Sequence, residues 1–482
     1  MSTNKITRRQ FVRTGLTAGS AALALGFLGC SRFLISPSVD SLIEPYGGFR
    51  LDPAGILDLP LGFKYHTFST TGETMDDGFL VPGGHDGMAA FPGPDGKTIL
   101  VRNHELEIDA RTGAFGQSNE LVNRIDSKRI HDFGQGSSPA LGGTTTLIYN
   151  TRTKKLEKQF LSLAGTMRNC AGGPTPWNTW ISCEECVQRA EDTFETDHGY
   201  NFEVPVSARG IVTPTPLKAM GRFYHEAVAV DARTGIVYQT EDRGDGLLYR
   251  FIPHYPGKLM EGGRLQALRI RDLKSADTRN WKNPLETLFP LVHHVVPVGE
   301  TLDAEWIDIE NVESPKDDLR NQGFHDKGAA RFARGEGMWY SDGVIFFACT
   351  NGGERRKGQI WKYTPSPFEG THDEEKKPGV LELFVESKSS DLLENADNLT
   401  VAPWGDLIVC EDGLTEQFLV GITPEGRLYR FARNAKNVFE FAGSTFSPDG
   451  STLFVNIQTP GITLAITGPW KTVASDIEQG HS

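Results

Sequence analysis

Cysteine, basic charge and long apolar runs are all scarce in this 482-residue chain, and each scarcity removes a class of protein. There are six cysteines. Cys30 sits alone near the start, and the other five (Cys170, Cys183, Cys186, Cys349, Cys410) form an odd set, so no disulfide framework is expected and at least one thiol stays unpaired. Lys and Arg number 49 against 62 Asp and Glu, a net charge of −13. A polyanion needs a basic surface, which excludes nucleic acid as a partner. The apolar stretch at residues 15–28 is too short and too rich in small residues for a membrane span, and no other uninterrupted apolar run is of span length. What is plentiful is turn-forming residue, with 53 Gly and 27 Pro beside 38% hydrophobic residues. That balance suits an all-β protein with a core to bury and many turns to make.

The N-terminus carries Arg8-Arg9 ahead of a small-residue apolar stretch, the form of a twin-arginine export signal. Residues 1–30 are expected to be that signal, 31–45 a linker, and 46–475 a single β-propeller domain. The expected location is the periplasm or the cell surface, with a monomeric state. Phe27-Leu28-Gly29-Cys30 has the form of a lipoprotein box, making Cys30 a candidate lipid anchor.

One pattern recurs along the chain: a turn, four to six strand-forming residues, then an acid or amide. It runs from Pro94-Asp95-Gly96 to Asn103-His104-Glu105, and again through Trp180-Ile181-Ser182 to Cys183-Glu184-Glu185. Further copies end at Glu241-Asp242, Thr350-Asn351, Glu411-Asp412 and Asn456. Six such units argue for radial repetition, in which polar strand ends converge on one channel. The expected fold is therefore all-β, a six-bladed β-propeller with long inter-blade insertions, although sandwiches and barrels give the same hairpin signals.

Cys183-Glu184-Glu185 sets a soft thiol beside hard carboxylates, a donor set for a transition metal and a harder cation together. The plain alternative is a small buried Cys beside two solvated acids. Of the five cysteines, Cys183 is the expected unpaired thiol. Cys183 and Cys186 have zinc-pair spacing but no second pair downstream, and Cys349 and Cys410 read as core. Strand-end position makes Glu105, Glu411 and Asp412 candidate ligands. Asn103 shares the first of these strand ends and is a candidate substrate contact. His104 and His225 are candidates to donate to a leaving oxygen or orient a ligand, with a satisfied structural role equally open.

Taken in order, Asn103-His104-Glu105, Asn169-Cys170-Ala171-Gly172-Gly173, Trp177 to Glu185, His225-Glu226-Ala227, Glu241-Asp242-Arg243-Gly244-Asp245-Gly246, Arg334-Gly335-Glu336, Ala396-Asp397-Asn398 and Pro448-Asp449-Gly450 closely resemble the PhoX family of alkaline phosphatases. The resemblance spreads from about residue 50 to Trp470. It implies a propeller channel holding iron and calcium and hydrolysing small phosphate monoesters. By that resemblance Cys183 is an iron ligand, Glu184, Glu226 and Glu336 are metal ligands, and Arg334 contacts phosphate. Two readings from other classes stay open: a calcium-dependent lactonase or esterase on the same architecture, and a non-catalytic calcium-stabilised propeller that binds a partner. The sequence departs from the family's pattern at Asn178, where Gly is usual, at Cys186, an extra thiol, and in its shorter length.

The residues make chemical sense together. Carboxylates alone repel a phosphate dianion. With cations bound they become a scaffold for positive charge, and a guanidinium can clamp two phosphoryl oxygens at once.

Overall fold

A computed structural model describes residues 41–470 except Ser137, Asp192, 283–294 and Pro315. The expected signal peptide, Cys30 and residues 31–40 of the linker lie outside the described residues. No helix among the described residues is long and apolar enough to cross a membrane.

The runs of β-branched and aromatic residues pair as antiparallel strands, because such side chains pack well on a pleated surface. Val344–Cys349, for example, is reached through a turn at Asp342 (φ 48°) and Gly343 (φ 81°), the twin left-handed geometry that lets a tight hairpin follow the twist of its strands. Among the described residues helix is confined to one short α-turn, Leu319–Asn321, running into a π-turn, and scattered 3-10 turns.

The result is all-β and propeller-like: four blades and one larger continuous sheet. One blade runs His85–Pro92, Thr98–His104, Gly142–Asn150, Lys155–Thr166, and the next is the three-stranded Asn169–Pro174, Thr179–Glu184, Asn201–Pro205. The larger sheet begins at His225–Val230 and ends at Gly335–Ser341, held continuous because Thr301–Asp308 pairs with both Gly263–Ile270 and Gly379–Glu386. The last two blades begin at Ala396–Val401 and Phe441–Phe446. Their outer edges are completed by N-terminal strands, Leu57–Pro60 pairing with Leu428–Asn434 and Lys64–Thr70 with Ile462–Thr467. Pairing the start of the chain with its end closes the ring and leaves no open seam there.

Six strands line the middle. His85–Pro92 lies beside Asn169–Pro174, followed in turn by His225–Val230, Gly335–Ser341, Ala396–Val401 and Phe441–Phe446, which returns to His85–Pro92. Each of the six carries a break in register just inside its start, between His85 and Met88, Asn169 and Gly172, His225 and Val228, Gly335 and Met338, Ala396 and Leu399, and Ala442 and Thr445. A bulge there re-aims the local side chains. It also lets the strands crowd together: a Cβ on Gly87 would sit 2.6 Å from the Ala171 Cα, and one on Gly337 would sit 2.6 Å from the Asn398 Cα. Just below the bulges the middle narrows to a space of about 20 Å³ lined by Met88, Trp180, Met338 and Leu399 among others, and a wider one of about 240 Å³ lies at the far ends of three of these strands, at Pro174, Val230 and Tyr340. The narrow point holds about one water, so a site at the bulges is reached from the mouth on their own side.

Candidate metal centre

The second residue of five of these inner strands is a potential ligand: Asp86, Cys170, Glu226, Glu336 and Asp397. On the sixth strand Ala442 takes that position, and Glu440 two residues earlier supplies the carboxylate. The bulges bring these side chains into overlapping groups whose ligand atoms all lie within 4.8 Å of one another: Cys170, Glu185 and Glu226; Glu226, Glu336 and Asp397; Asp397, Asp412 and Glu440; Asp86, Glu105 and Glu440. Shared members make the groups continuous around the mouth.

So many carboxyl groups cannot all be ionised in a buried ring without compensating charge. Burial and the neighbours Glu336 and Glu185 push Glu226 well above the usual carboxylate range. Glu336 is raised by burial with Asp242 and Asp397, and Glu440 by burial with Asp397 and Asp412. Burial together with Asp412 lifts Asp397 to about 7. Burial, then Glu226 and Glu185, hold the Cys170 thiol protonated well above its ordinary value. Cations would satisfy all of these groups at once.

Arg334 forks onto Asp242, Nε to Oδ1 at 2.7 Å and Nη2 to Oδ2 at 2.8 Å, and Nη2 also reaches Glu336 at 2.9 Å. Burial opposes its charge, but Glu336 and Asp242 outweigh that and keep it firmly cationic. The side chain is 36% exposed and faces the mouth.

Antiparallel pairing explains which predicted residues reach the mouth. The second strand of each blade ends level with the start of the inner strand, for instance His104 opposite His85 and Glu411 opposite Ala396. Because side chains alternate, one residue of each terminal pair turns into the blade and the next turns to the ring. Glu105 and Asp412 turn to the ring, and Glu226 and Glu336 join them from the inner strands.

Glu184 and Glu411 do not. Glu184 accepts from the Met167, Gly199 and Tyr200 amides and from His198, and Glu411 accepts from the Glu394 and Phe418 amides. Glu411 is taken up by its two amides, Glu184 sits away from the ring in a separate group with His131 and His198 whose ligand atoms lie within 4.8 Å of one another, and the ring position beside Glu184 is taken by Glu185. Cys183 is placed in an apolar cluster with Ile181, Val228 and Leu247, so the thiol in the ring is Cys170 and not Cys183. Cys186 lies in a separate cluster with Ala140 and Met167, so the two do not form a zinc pair. Cys349 and Cys410 lie in apolar clusters as expected of core residues, and all five described cysteines are free thiols.

Asn103 is buried and saturated: Trp180 and Ser182 donate to its oxygen, and its amide reaches the Ala171 carbonyl at 2.6 Å. It fastens the Cys170 strand and has nothing left for substrate. His104 donates Nδ1–H to the Gly83 carbonyl at 2.9 Å and takes the Thr145 hydroxyl on Nε2, and burial followed by Arg102 keeps it neutral. His225 donates Nε2–H to the Gly221 carbonyl and stacks on Phe223 at 3.6 Å, with burial pushing it down to about 4. His104 is thus satisfied at both nitrogens, whereas the buried Nδ1 of His225 has no partner among the described residues. Asn178 has φ 62°, a left-handed turn that suits Gly and that Asn tolerates, so the departure at this position keeps the same turn.

Fold and site together define a propeller whose one mouth gathers a thiol, carboxylates and a guanidinium to hold cations and receive an anion. The chain belongs to the alkaline phosphatase PhoX family, whose model matches residues 44–461, and it is a metal-dependent phosphatase. Among solved structures it is similar to Pseudomonas fluorescens PhoX in complex with vanadate, a transition state analogue. That likeness has a TM-score of 0.60 at 19% identity over 86% of this chain and 96% of that chain, and is one of fold. A gluconolactonase from Xanthomonas campestris aligns with a TM-score of 0.39 at 11% identity, over 88% of this chain and 98% of that one. Comparison with curated proteins gives no match.

Proposed function

We propose that this chain is an exported, six-bladed phosphatase that hydrolyses small phosphate monoesters at an iron and calcium centre in the mouth of its ring. The observation that carries the reading is the ring itself, one thiol among carboxylates on successive inner strands. Its donors fit the metals. Thiolate sulfur favours iron, and groups built from oxygen alone favour calcium. Cys170, Glu185 and Glu226 would hold iron; Asp86, Glu105 and Glu440, and Asp397 with Asp412, would hold calcium, with Glu336 between them. Six inner strands with the same bulge support a count of six blades, the larger sheet containing two.

When bound, the metals supply positive charge to the phosphoryl oxygens and a lowered pKa for water. The chain's own part is positional. Arg334, fixed by Asp242 and Glu336, presents a planar fork that binds two equatorial oxygens and gains as charge develops on them. Gln458 donates to both Asp86 and Glu105, at 3.2 and 2.9 Å, and sets their spacing. The narrow point beneath the ring, about 20 Å³, leaves the ring's own mouth as the way in for substrate.

The twin-arginine form at Arg8-Arg9 supports export of the folded protein to the periplasm or cell surface. The function is tested by phosphate release from aryl phosphate monoesters by the full chain carrying its metals. Sustained release supports the reading, and none from several monoesters overturns it.

A further inference from the structure

Arg168 occupies the position in its blade that Arg334 occupies in its own. Each stands two residues before a ring ligand, Cys170 and Glu336 respectively. Each has a left-handed backbone, φ 46° at Arg168 and 54° at Arg334. The same turn recurs two residues before Asp86 and Asp397, at Gly84 (φ 53°) and Asn395 (φ 52°), so the turn belongs to the fold. What Arg168 and Arg334 alone share at that turn is a guanidinium.

The two are joined through carboxylates. Arg168 Nη2 reaches Glu185 at 2.5 Å and Glu105 at 2.9 Å, while Nη1 is only loosely held by Glu107 at 3.5 Å. Glu185 lies near enough to Asp242 for that carboxylate to push it up, and Asp242 in turn takes the fork of Arg334. The row therefore reads Arg168, Glu185, Asp242, Arg334. Its two carboxylate side chains are each 10% exposed, whereas the guanidiniums are 30% and 36% exposed. An anion arriving from solvent meets the cations first.

We propose that Arg168 is a second phosphate-contact residue, paired with Arg334 at the mouth beside Glu185 and Asp242. This rests on the phosphatase reading for its ligand. Cations bound at the ring would compete for Glu105 and Glu185, releasing donors of Arg168 toward a phosphoryl oxygen at the mouth.

The test is calorimetric binding of inorganic phosphate to the full, metal-carrying chain, with metal content measured on each preparation. Arg168→Ala should keep its metals and bind phosphate about tenfold or more weakly, the scale of losing a charge-assisted contact. Arg168→Lys should recover part of that affinity, as a point charge without the fork. Full metal content with unchanged phosphate affinity in Arg168→Ala overturns the proposal. So does loss of metal from both variants, which makes Arg168 a strut for Glu105 and Glu185. Should only the Ala variant lose metal, the Lys variant decides: phosphate affinity lowered several-fold supports the contact, and wild-type affinity overturns it. Because the readout is binding, it separates from the failure of the wider reading, in which the wild type releases no phosphate from any monoester.

Discussion

Glu184 and Glu185 are adjacent in the chain and serve opposite sides of one strand end. Glu184 is buried against His198, Nδ1 to Oε1 at 2.7 Å, and takes three backbone amides; Glu185 stands in the ring with Cys170 and Glu226. One acid closes a loop and its neighbour faces the site.

The two should therefore fail differently when neutralised. Glu185→Gln is expected to lose transition metal while folding at near wild-type stability. Glu184→Gln should retain metal at low temperature but unfold more easily, by about 3 kcal/mol, the scale of breaking a buried ion pair. Metal content and denaturant midpoints of both variants check this, and a shared phenotype contradicts it.

Arg334→Ala should keep its metals and lose turnover by about a hundredfold or more, the usual cost of deleting one charged transition-state donor. Its kcat and metal content, measured on one preparation, are the check. Intact turnover would remove Arg334 from the phosphate site.

His198 lies between Glu184 and Asp132, with the neutral His131 ring 5.2 Å away. Burial opposes its charge, but Glu184 and Asp132 outweigh that and hold it up to about 9. The folded value exceeds the ordinary 6.5. The stability it contributes is thus complete below about pH 6.5 and is lost as pH rises through about 9, up to about 3 kcal/mol in all. Comparing wild type with His198→Gln at fixed metal loading, the stability difference should be largest near pH 6 and shrink toward pH 10. A difference that grows with pH contradicts the assignment.

Replacing both Arg8 and Arg9 with Lys should leave the protein in the cytoplasm, since the twin-arginine pair is the recognised element of that route. Fractionation of cells expressing the double variant tests it. Unchanged export would rule the route out.

The strand-end pattern made the all-β ring, Glu105 and Asp412 legible, because turns and alternation are local properties, while Glu226 and Glu336 came from the family resemblance. What stayed hidden was which side of each strand end faces the mouth. That depends on the bulges just inside the inner strands, and a bulge leaves little local signal when its residues are ordinary, as in Asn169-Cys170-Ala171-Gly172. Without it Cys183, beside two acids in sequence, looks the better ligand than Cys170. The usable signal was the second position of each inner strand, where Asp86, Cys170, Glu226, Glu336 and Asp397 recur. Arg168 and Asp242 were on quoted or neighbouring strings, but Glu105 reaches Arg168 from the neighbouring blade and Arg334 reaches Asp242 across the larger sheet, so only the assembled ring brings them together.

The central claim is that Cys170, and not Cys183, is the soft donor of an iron and calcium centre. Elemental analysis of the exported wild type beside Cys170→Ser and Cys183→Ser tests it most directly. The account predicts iron and calcium in the wild type and a loss of iron in Cys170→Ser, because a neutral hydroxyl replaces a thiolate poorly. It predicts retained iron in Cys183→Ser, whose buried hydroxyl costs only stability, about 1–3 kcal/mol. Zinc alone or no transition metal in the wild type, or loss of iron from Cys183→Ser with Cys170→Ser intact, would contradict it.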